Sequence, residues 1–306
     1  MRTSLRELPA DELQGRLVTG LKLRIGPFVV CLQGRDPLLA GCLAQHYPDY
    51  PLAPVDSFTD ARLSLRDQAW WARLLGRPRE ICLEDEVPFT DFPVNALLAH
   101  IEWSLNWCVA TRANQYLMLH GGALARDEGA MIMPGVPGAG KSTLTAFLMH
   151  RGWRLFSDEF ALLKPGSLDL QAFPRLIPLK NDAIEVIQAA VPEAAFGPQI
   201  PGTRKGRVSH LRPLAEHLRR MDEGARPKLV VFPSYKPGVN TTLTEMARSE
   251  AFAELTNNAF NYVLLGRLAF EMLAELTDAV RCYRLSYSQL DDANQQLQAL
   301  LRESAV

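Results

Sequence analysis

The chain of 306 residues lacks the cysteine pattern of a stapled or zinc-binding protein. Its five cysteines (Cys31, Cys42, Cys82, Cys108, Cys282) are odd in number and scattered, with no Cys-x-x-Cys spacing. That excludes a disulfide framework and suits a reducing compartment. No apolar run reaches the roughly eighteen residues that a membrane-spanning helix needs. The opening MRTSLRELPADELQG has no apolar core of the kind that marks a signal peptide. An excess of one charge is missing as well. Thirty-three Lys and Arg stand against 34 Asp and Glu, a net charge of −1, which argues against general binding to nucleic acid or to a membrane surface. The local cluster Arg204, Lys205, Arg207, His210 and Arg212 is the exception. Internal repeats and low-complexity tracts are also absent. These absences lead to the expectation of a cytoplasmic protein with no nucleic-acid and no membrane partner, homo-oligomerisation being left open.

What is present is enough apolar sequence, 47%, for one large or two ordinary domains. The most informative stretch is 130–143, AMIMPGVPGAGKST. A short apolar run precedes Gly135, Val136, Pro137, Gly138, Ala139, Gly140, Lys141, Ser142 and Thr143, and helical apolar spacing follows from Leu144. Gly135, Gly140, Lys141 and Ser142 fit G-x-x-x-x-G-K-[ST], the phosphate-binding P-loop. The glycines let the backbone turn tightly and approach an anion without a Cβ in the way. The loop amides then form an anion nest, and the helix that starts near Lys141 adds its positive end. Lys141 is expected to reach the outer phosphates of ATP, and the Ser142 hydroxyl to ligate Mg²⁺.

Before the loop, residues 1–20 read as polar, helical or loose. Residues 21–32 read as strand with a bend at Gly26-Pro27, and Asp36 as the cap of a short helix. Segments 62–66 and 79–83 read as strands. Between them, Trp70 and Trp71 serve packing or binding. Residues 94–113 form a helix, with Leu97, Leu98, Ile101, Leu105, Cys108 and Val109 at helical spacing. Trp103 and Trp107, four apart on one face, are expected to pack into the core. Asp127-Glu128-Gly129 between two apolar runs signals a hairpin, which gives the loop strand an antiparallel neighbour.

After the loop helix, 153–157 and 160–163 read as strands, 171–179 as proline-broken, 183–190 as helix and 192–213 as loop. Residues 228–235 and 280–287 read as strands, and 245–257, 261–276 and 288–301 as helices. Asp158 and Glu159 end a strand, and two adjacent carboxylates there can divide labour. One can hold Mg²⁺ with Ser142, and the other can take a proton from an attacking hydroxyl. His120 closes the strand before the hairpin and is either a structural residue or a third member of the site.

Leu119-His120-Gly121, GVPGAGKST, Arg151-Gly152-Trp153-Arg154-Leu155 and Asp158-Glu159 resemble the core of the HPr serine kinase/phosphorylases. The resemblance covers about 118–163 strongly and the remainder weakly. It is closest to the HprK-related kinase A proteins, through Glu102-Trp103, Asn106-Trp107, Ser157-Asp158-Glu159, Leu179-Lys180-Asn181, Lys205-Gly206, Phe232-Pro233 and Asn258-Ala259-Phe260-Asn261-Tyr262. It implies an α/β fold in which a mixed sheet carries a P-loop kinase core of the HPr kinase and phosphoenolpyruvate carboxykinase type. It also implies that His120 and Asp158 assist proton transfer, that Lys141 and the loop amides bind phosphate, and that Ser142 and Glu159 hold Mg²⁺. The family's second aspartate is Glu159 here. Its later Glu-Ile-Arg-Gly-Leu-Gly signature is missing, the nearest segment being 202–207. Lys205 there is either a cation for the transferring phosphoryl group or a solvated loop lysine. Asn181 is alternatively a helix N-cap.

The expectation is thus a smaller N-terminal α+β region over 1–92 and a kinase-like domain over 93–306. It transfers the γ-phosphoryl group of ATP, with Mg²⁺, to a hydroxyl, most naturally serine of a protein or peptide. The alternatives are an ATP-binding sensor or assembly module without transferase activity, and a small-molecule hydroxyl kinase.

Overall fold

The structure is a computed structural model that describes residues 3–66, 75, 80–84, 86–87, 96–203 and 206–304. Trp70, Trp71, Arg204 and Lys205 lie outside the described residues. The chain begins with α1 (Ala10–Thr19), β1 (Leu21–Ile25), β2 (Phe28–Gln33), α2 (Pro37–His46), β3 (Ala61–Leu65) and β4 (Ile81–Leu83). The four strands form one sheet in the order β1-β2-β3-β4, with β2 and β3 parallel and the other pairs antiparallel. Gly26-Pro27 is more than a bend. Ile25 pairs with Phe28, so the chain reverses there and the single expected strand becomes a hairpin. Asp36 caps α2 as expected, its carboxylate accepting from the Leu38 N–H at 3.0 Å.

Helix α3 (Leu97–Arg112) follows and leads into β5 (Leu117–Arg126) and β6 (Gly129–Pro134). Its Leu98, Ile101, Leu105, Cys108 and Val109 join the core of the first sheet. Trp107 does not: it is 51% exposed, and Trp103 is only partly buried. The four-residue spacing put the two tryptophans on one face, but the aliphatic face is the one the sheet covers.

Beyond the loop come α4 (Lys141–Met149), β7 (Arg154–Ser157), β8 (Phe160–Leu163), β9 (Leu170–Gln171), β10 (Ile177–Lys180), α5 (Asp182–Ala190), β11 (Ile200–Thr203) and β12 (Gly206–Leu211). The expected loop over 192–213 therefore contains two strands. β12 pairs antiparallel with β10 and with β11, in the order β10-β12-β11. Glycine, proline and arginine lower strand propensity locally, and the pairing with distant β10 overrides it.

The chain closes with α6 (Ala215–Arg219), β13 (Pro227–Tyr235), β14 (Thr242–Glu245), α7 (Arg248–Asn257), α8 (Tyr262–Leu265), α9 (Arg267–Ala279), β15 (Arg281–Tyr287) and α10 (Leu290–Glu303). The expected helix at 245 is preceded by strand β14. The one expected at 261 is split at Gly266, whose φ of 56° breaks the helical path.

The large sheet runs β14-β15-β13-β6-β5-β8-β9, and β7 also pairs with β5. It is mixed: β6 is parallel to β13 and antiparallel to β5. The expected hairpin is present, with Arg126 opposite Gly129. Alternation along β6 and β13 sorts the core into two faces. Ile132 and Val230 pack with Leu255, Leu273 and Leu276 of α7 and α9. Met131, Met133 and Val231 pack with Leu144 and Leu148 of α4 and Leu297 of α10. The molecule is therefore a mixed α/β protein whose main sheet lies between helices. Among the described residues no helix is long and apolar enough to cross a membrane.

Candidate active site

The glycine-rich loop lies between β6 and α4. Gly138 and Gly140 have φ of 88° and 85°, a left-handed region that side chains rarely adopt. Gly140 has no room either. A Cβ there would stand 2.5 Å from Tyr287 Oη and 2.9 Å from Tyr235 Cβ. These tyrosines end the parallel strands β13 and β15, meet edge-on at 5.7 Å and brace the loop. The Tyr235 N–H donates to the Ala139 carbonyl at 3.1 Å, and the Tyr287 hydroxyl donates to the Gly140 carbonyl at 3.2 Å. Inside the curl, Lys141 Nζ donates to the carbonyls of Gly135 and Val136. Burial lowers its proton affinity, and the carboxylates of Asp158 and Glu159 partly offset this.

β5 lies between β6, which leads into the loop, and β7 and β8, which flank the acidic pair. Gly121 and Gly122 pair with Pro134 and Met133 on one side, while His120 pairs with Phe160 and Ala123 with Ser157 on the other. A Cβ at Gly122 would lie 2.5 Å from Thr145 Oγ1, so the missing side chain lets α4 lie against β5. Between β7 and β8 the chain bends at Asp158-Glu159. Ser157 Oγ stabilises the bend by accepting from the Glu159 and Phe160 N–H groups at 3.2 and 2.9 Å.

The bend sends the two carboxylates different ways. Asp158 is 6% exposed and leaves Oδ1 buried without a hydrogen-bond partner, with the Ser142 hydroxyl near enough to favour its charged form. Burial, reinforced by the charge of Glu159, pushes its carboxyl up to about 6, while Ser142, Lys141 and Lys180 pull it down. Glu159 keeps its side chain 38% exposed and sets Oε1 3.6 Å from His120 Nε2. The His120 ring meets Phe260 at 5.5 Å, and Phe260 meets Phe160 at 5.0 Å. Phe260 is placed by the turn before α8. Asn258 accepts from the His120 N–H at 2.7 Å, and Asn261 Oδ1 accepts from the Met118 N–H at 3.1 Å.

No family model and no curated protein matches the sequence. The geometry therefore has to carry the functional reading.

Of the residues expected at the site, the structure brings together the 135–143 loop, Asp158, Glu159 and His120. Lys205 falls outside the described residues. Lys180, which had no assigned role, ends β10, and its charge acts on both Asp158 and Lys141. Next to it Asn181 adopts φ 49°, ψ −127° and makes no side-chain cap for α5. Its Oδ1 instead accepts from the Arg207 N–H at 3.2 Å, tying the end of β10 to the start of β12. Tyr235, Tyr287, Lys180 and Phe260 are the site residues that sequence reasoning missed. The Lys180-Asn181 and Asn258–Tyr262 segments had been singled out by the resemblance; the tyrosines carry no motif. Glu102 and Asn106, also singled out, hold Arg175 in a buried network that Tyr47 joins.

Proposed function

We propose that the protein is an ATP-dependent phosphotransferase of the HPr-serine-kinase-like kind, closest to HprK-related kinase A. In this reading the γ-phosphoryl group passes to a hydroxyl of a protein or peptide serine, and the loop, β5 and the acidic bend form a P-loop kinase core. The observation that carries the reading is Asp158. A carboxyl buried beside the hydroxyl of the loop serine, with one oxygen unsatisfied, is costly for folding and suits a site completed by a ligand.

The reaction joins the acceptor oxygen to the γ-phosphorus, breaks the bond to the β-phosphate oxygen and releases the acceptor's proton to a base. The loop amides and Lys141 hold the phosphates. Among the described residues no group of three or more His, Cys, Asp and Glu is placed to hold a metal, and Mg²⁺ shared with phosphates does not require one. The donors fit Mg²⁺ nonetheless, since the Ser142 hydroxyl and the unpartnered Asp158 Oδ1 are both hard oxygens and the two side chains interact. Bound Mg²⁺ neutralises charge on the phosphate oxygens.

Sequence reasoning gives the metal to Ser142 and Glu159 and the proton to Asp158, with His120 assisting. The nearness of Ser142 to the buried Asp158 carboxyl favours the exchange of these roles. Asp158 then faces the metal with Ser142, and the solvent-facing Glu159–His120 pair receives the proton of a hydroxyl arriving from outside. Lys180 supplies positive charge beside the transferring group, the role that is one of the two readings of Lys205.

Incubation with γ-labelled ATP, Mg²⁺ and an extract of source cells tests the reading. The expected result is phosphoserine on a discrete acceptor, absent with Lys141→Ala. ATP that binds yet labels no protein would point to the sensor. ATP consumed only with a low-molecular-weight alcohol would point to a small-molecule kinase. With the Glu-Ile-Arg-Gly-Leu-Gly signature missing, phosphorylated acceptor and inorganic phosphate should not return pyrophosphate at a comparable rate.

A further inference from the structure

A cavity of about 270 Å³ opens between the first sheet, the C-terminal half of α3 and the segment joining β9 to β10. Its walls are apolar: Ile25, Phe28, Val30, Leu105, Val109 and Phe173 among them. Its polar lining residues are few and of both signs: Asp60, Arg112 and Gln115. Asp60 spends Oδ2 on the Val29 N–H at 2.7 Å, which fixes the carboxylate in place. Arg112 is steadied from outside by Glu84 at 3.1 Å. An apolar hollow with a small set of fixed polar groups is the usual form of a small-molecule site, and this one is slightly smaller than the usual range, roughly 300–1,000 Å³.

We infer that this cavity binds a free α-amino acid with a large apolar side chain. The side chain lies against Phe28, Leu105, Val109 and Phe173, the α-ammonium meets Asp60 and the α-carboxylate meets Arg112. One negative and one positive group beside an apolar hollow match a zwitterion better than a fatty acid, whose head Asp60 repels, or an amine, which Arg112 repels. The site is separate from the loop and the acidic bend, but it has a material link to them. Phe173 meets Phe28 edge-on at 5.3 Å and lies 6.5 Å from Phe160, and its N–H donates to the Phe156 carbonyl at 2.7 Å. Phe156 and Phe160 bracket the Asp158-Glu159 bend. An occupant that moves Phe173 therefore acts on the strand that carries the acidic pair.

Calorimetric titration of the full chain with leucine, methionine and phenylalanine, without nucleotide, tests the inference independently of any kinase activity. Saturable one-to-one binding is expected for at least one of the three. The matching des-amino acid and decarboxylated amine should each bind about tenfold or more weakly, because each loses a charge-assisted contact. Asp60→Asn and Arg112→Gln, which leave the apolar walls intact, should weaken binding to a similar degree. Val109→Trp, which fills the hollow, should abolish it. Absence of saturable binding by all three amino acids overturns the inference. So does undiminished binding in both Asp60→Asn and Arg112→Gln, or equal binding of the des-amino acid.

Discussion

Asp158 is the buried carboxyl group of the candidate site. Its folded-state proton affinity is raised from 3.8 to about 6, so the metal-free fold favours the protonated form. The penalty is absent below about pH 4, grows as pH rises toward 6 and is complete above it, at about 3 kcal/mol. Asp158→Asn, which removes the buried charge, should therefore raise the melting temperature in chelator at pH 7.5 and leave it nearly unchanged at pH 4. Equal melting curves at pH 7.5 would show that the carboxylate carries no such cost. In catalysis the same substitution separates the two assignments of the acidic pair. If Asp158 faces the metal, Asp158→Asn should raise the Mg²⁺ concentration needed for single-turnover transfer. Glu159→Gln and His120→Ala should then slow transfer by about 10²–10⁴-fold at saturating Mg²⁺. Glu159→Gln restored by added Mg²⁺, with Asp158→Asn not restored, returns the proton to Asp158.

The loop is only as firm as the elements that hold it, and here the tyrosines at the ends of β13 and β15 matter. Gly140→Ala places a Cβ against Tyr287 Oη and Tyr235 Cβ in a left-handed conformation, and should destabilise the protein by about 1–3 kcal/mol. A mutant that melts like wild type would mean that the tyrosines do not brace the loop. At the end of β10, Lys180→Met should lower the transfer rate with little change in ATP affinity, and Lys180→Arg should restore part of it. Loss of ATP affinity without loss of rate would reduce Lys180 to a phosphate-binding charge. The legibility of these elements follows from how local their causes are. The apolar run 130–133, the glycines and the helical spacing after Lys141 specify strand, turn and helix within one short stretch, and the hairpin at Asp127-Glu128 needs only its neighbours. β12 was read as loop because its strand character comes from pairing with Ile177 and Leu179, some thirty residues earlier. The placement of Phe260 over His120 depends on hydrogen bonds that Asn258 and Asn261 accept from the His120 and Met118 N–H groups of a strand more than a hundred residues away, and no local pattern encodes that.

Across the whole molecule, buried polar groups join the N-terminal sheet to the rest. Tyr47, Glu102, Asn106 and Arg175 bond one another at the meeting of α2, α3 and the segment before β10. Glu102→Gln leaves Arg175 without its buried counter-charge and should cost about 3–5 kcal/mol. His46, His100 and His217 are buried too, and burial lowers each to about 4. Their folded values lie below the unfolded value of 6.5, so the stability held by the neutral rings is present above pH 6.5 and is lost as pH falls toward 4. Burial lowers His150 and His210 as well, and Asp158 works the other way over part of that range, one group against five. Melting temperature should therefore fall steadily from pH 7 to pH 4.5, with His217→Gln flattening part of the slope; a flat profile would show that the rings are not held neutral. The mixed sheet and the bend between β7 and β8 set the braced loop beside a buried carboxylate, and the proposal stands on that pair binding Mg-ATP. Isothermal titration of Mg-ATP into the wild type and into Lys141→Ala is the direct test. One site per chain in the wild type, weakened at least tenfold by the substitution and in wild type by chelating Mg²⁺, is the predicted result. No saturable binding in the wild type, or equal affinity in the two proteins, would contradict it.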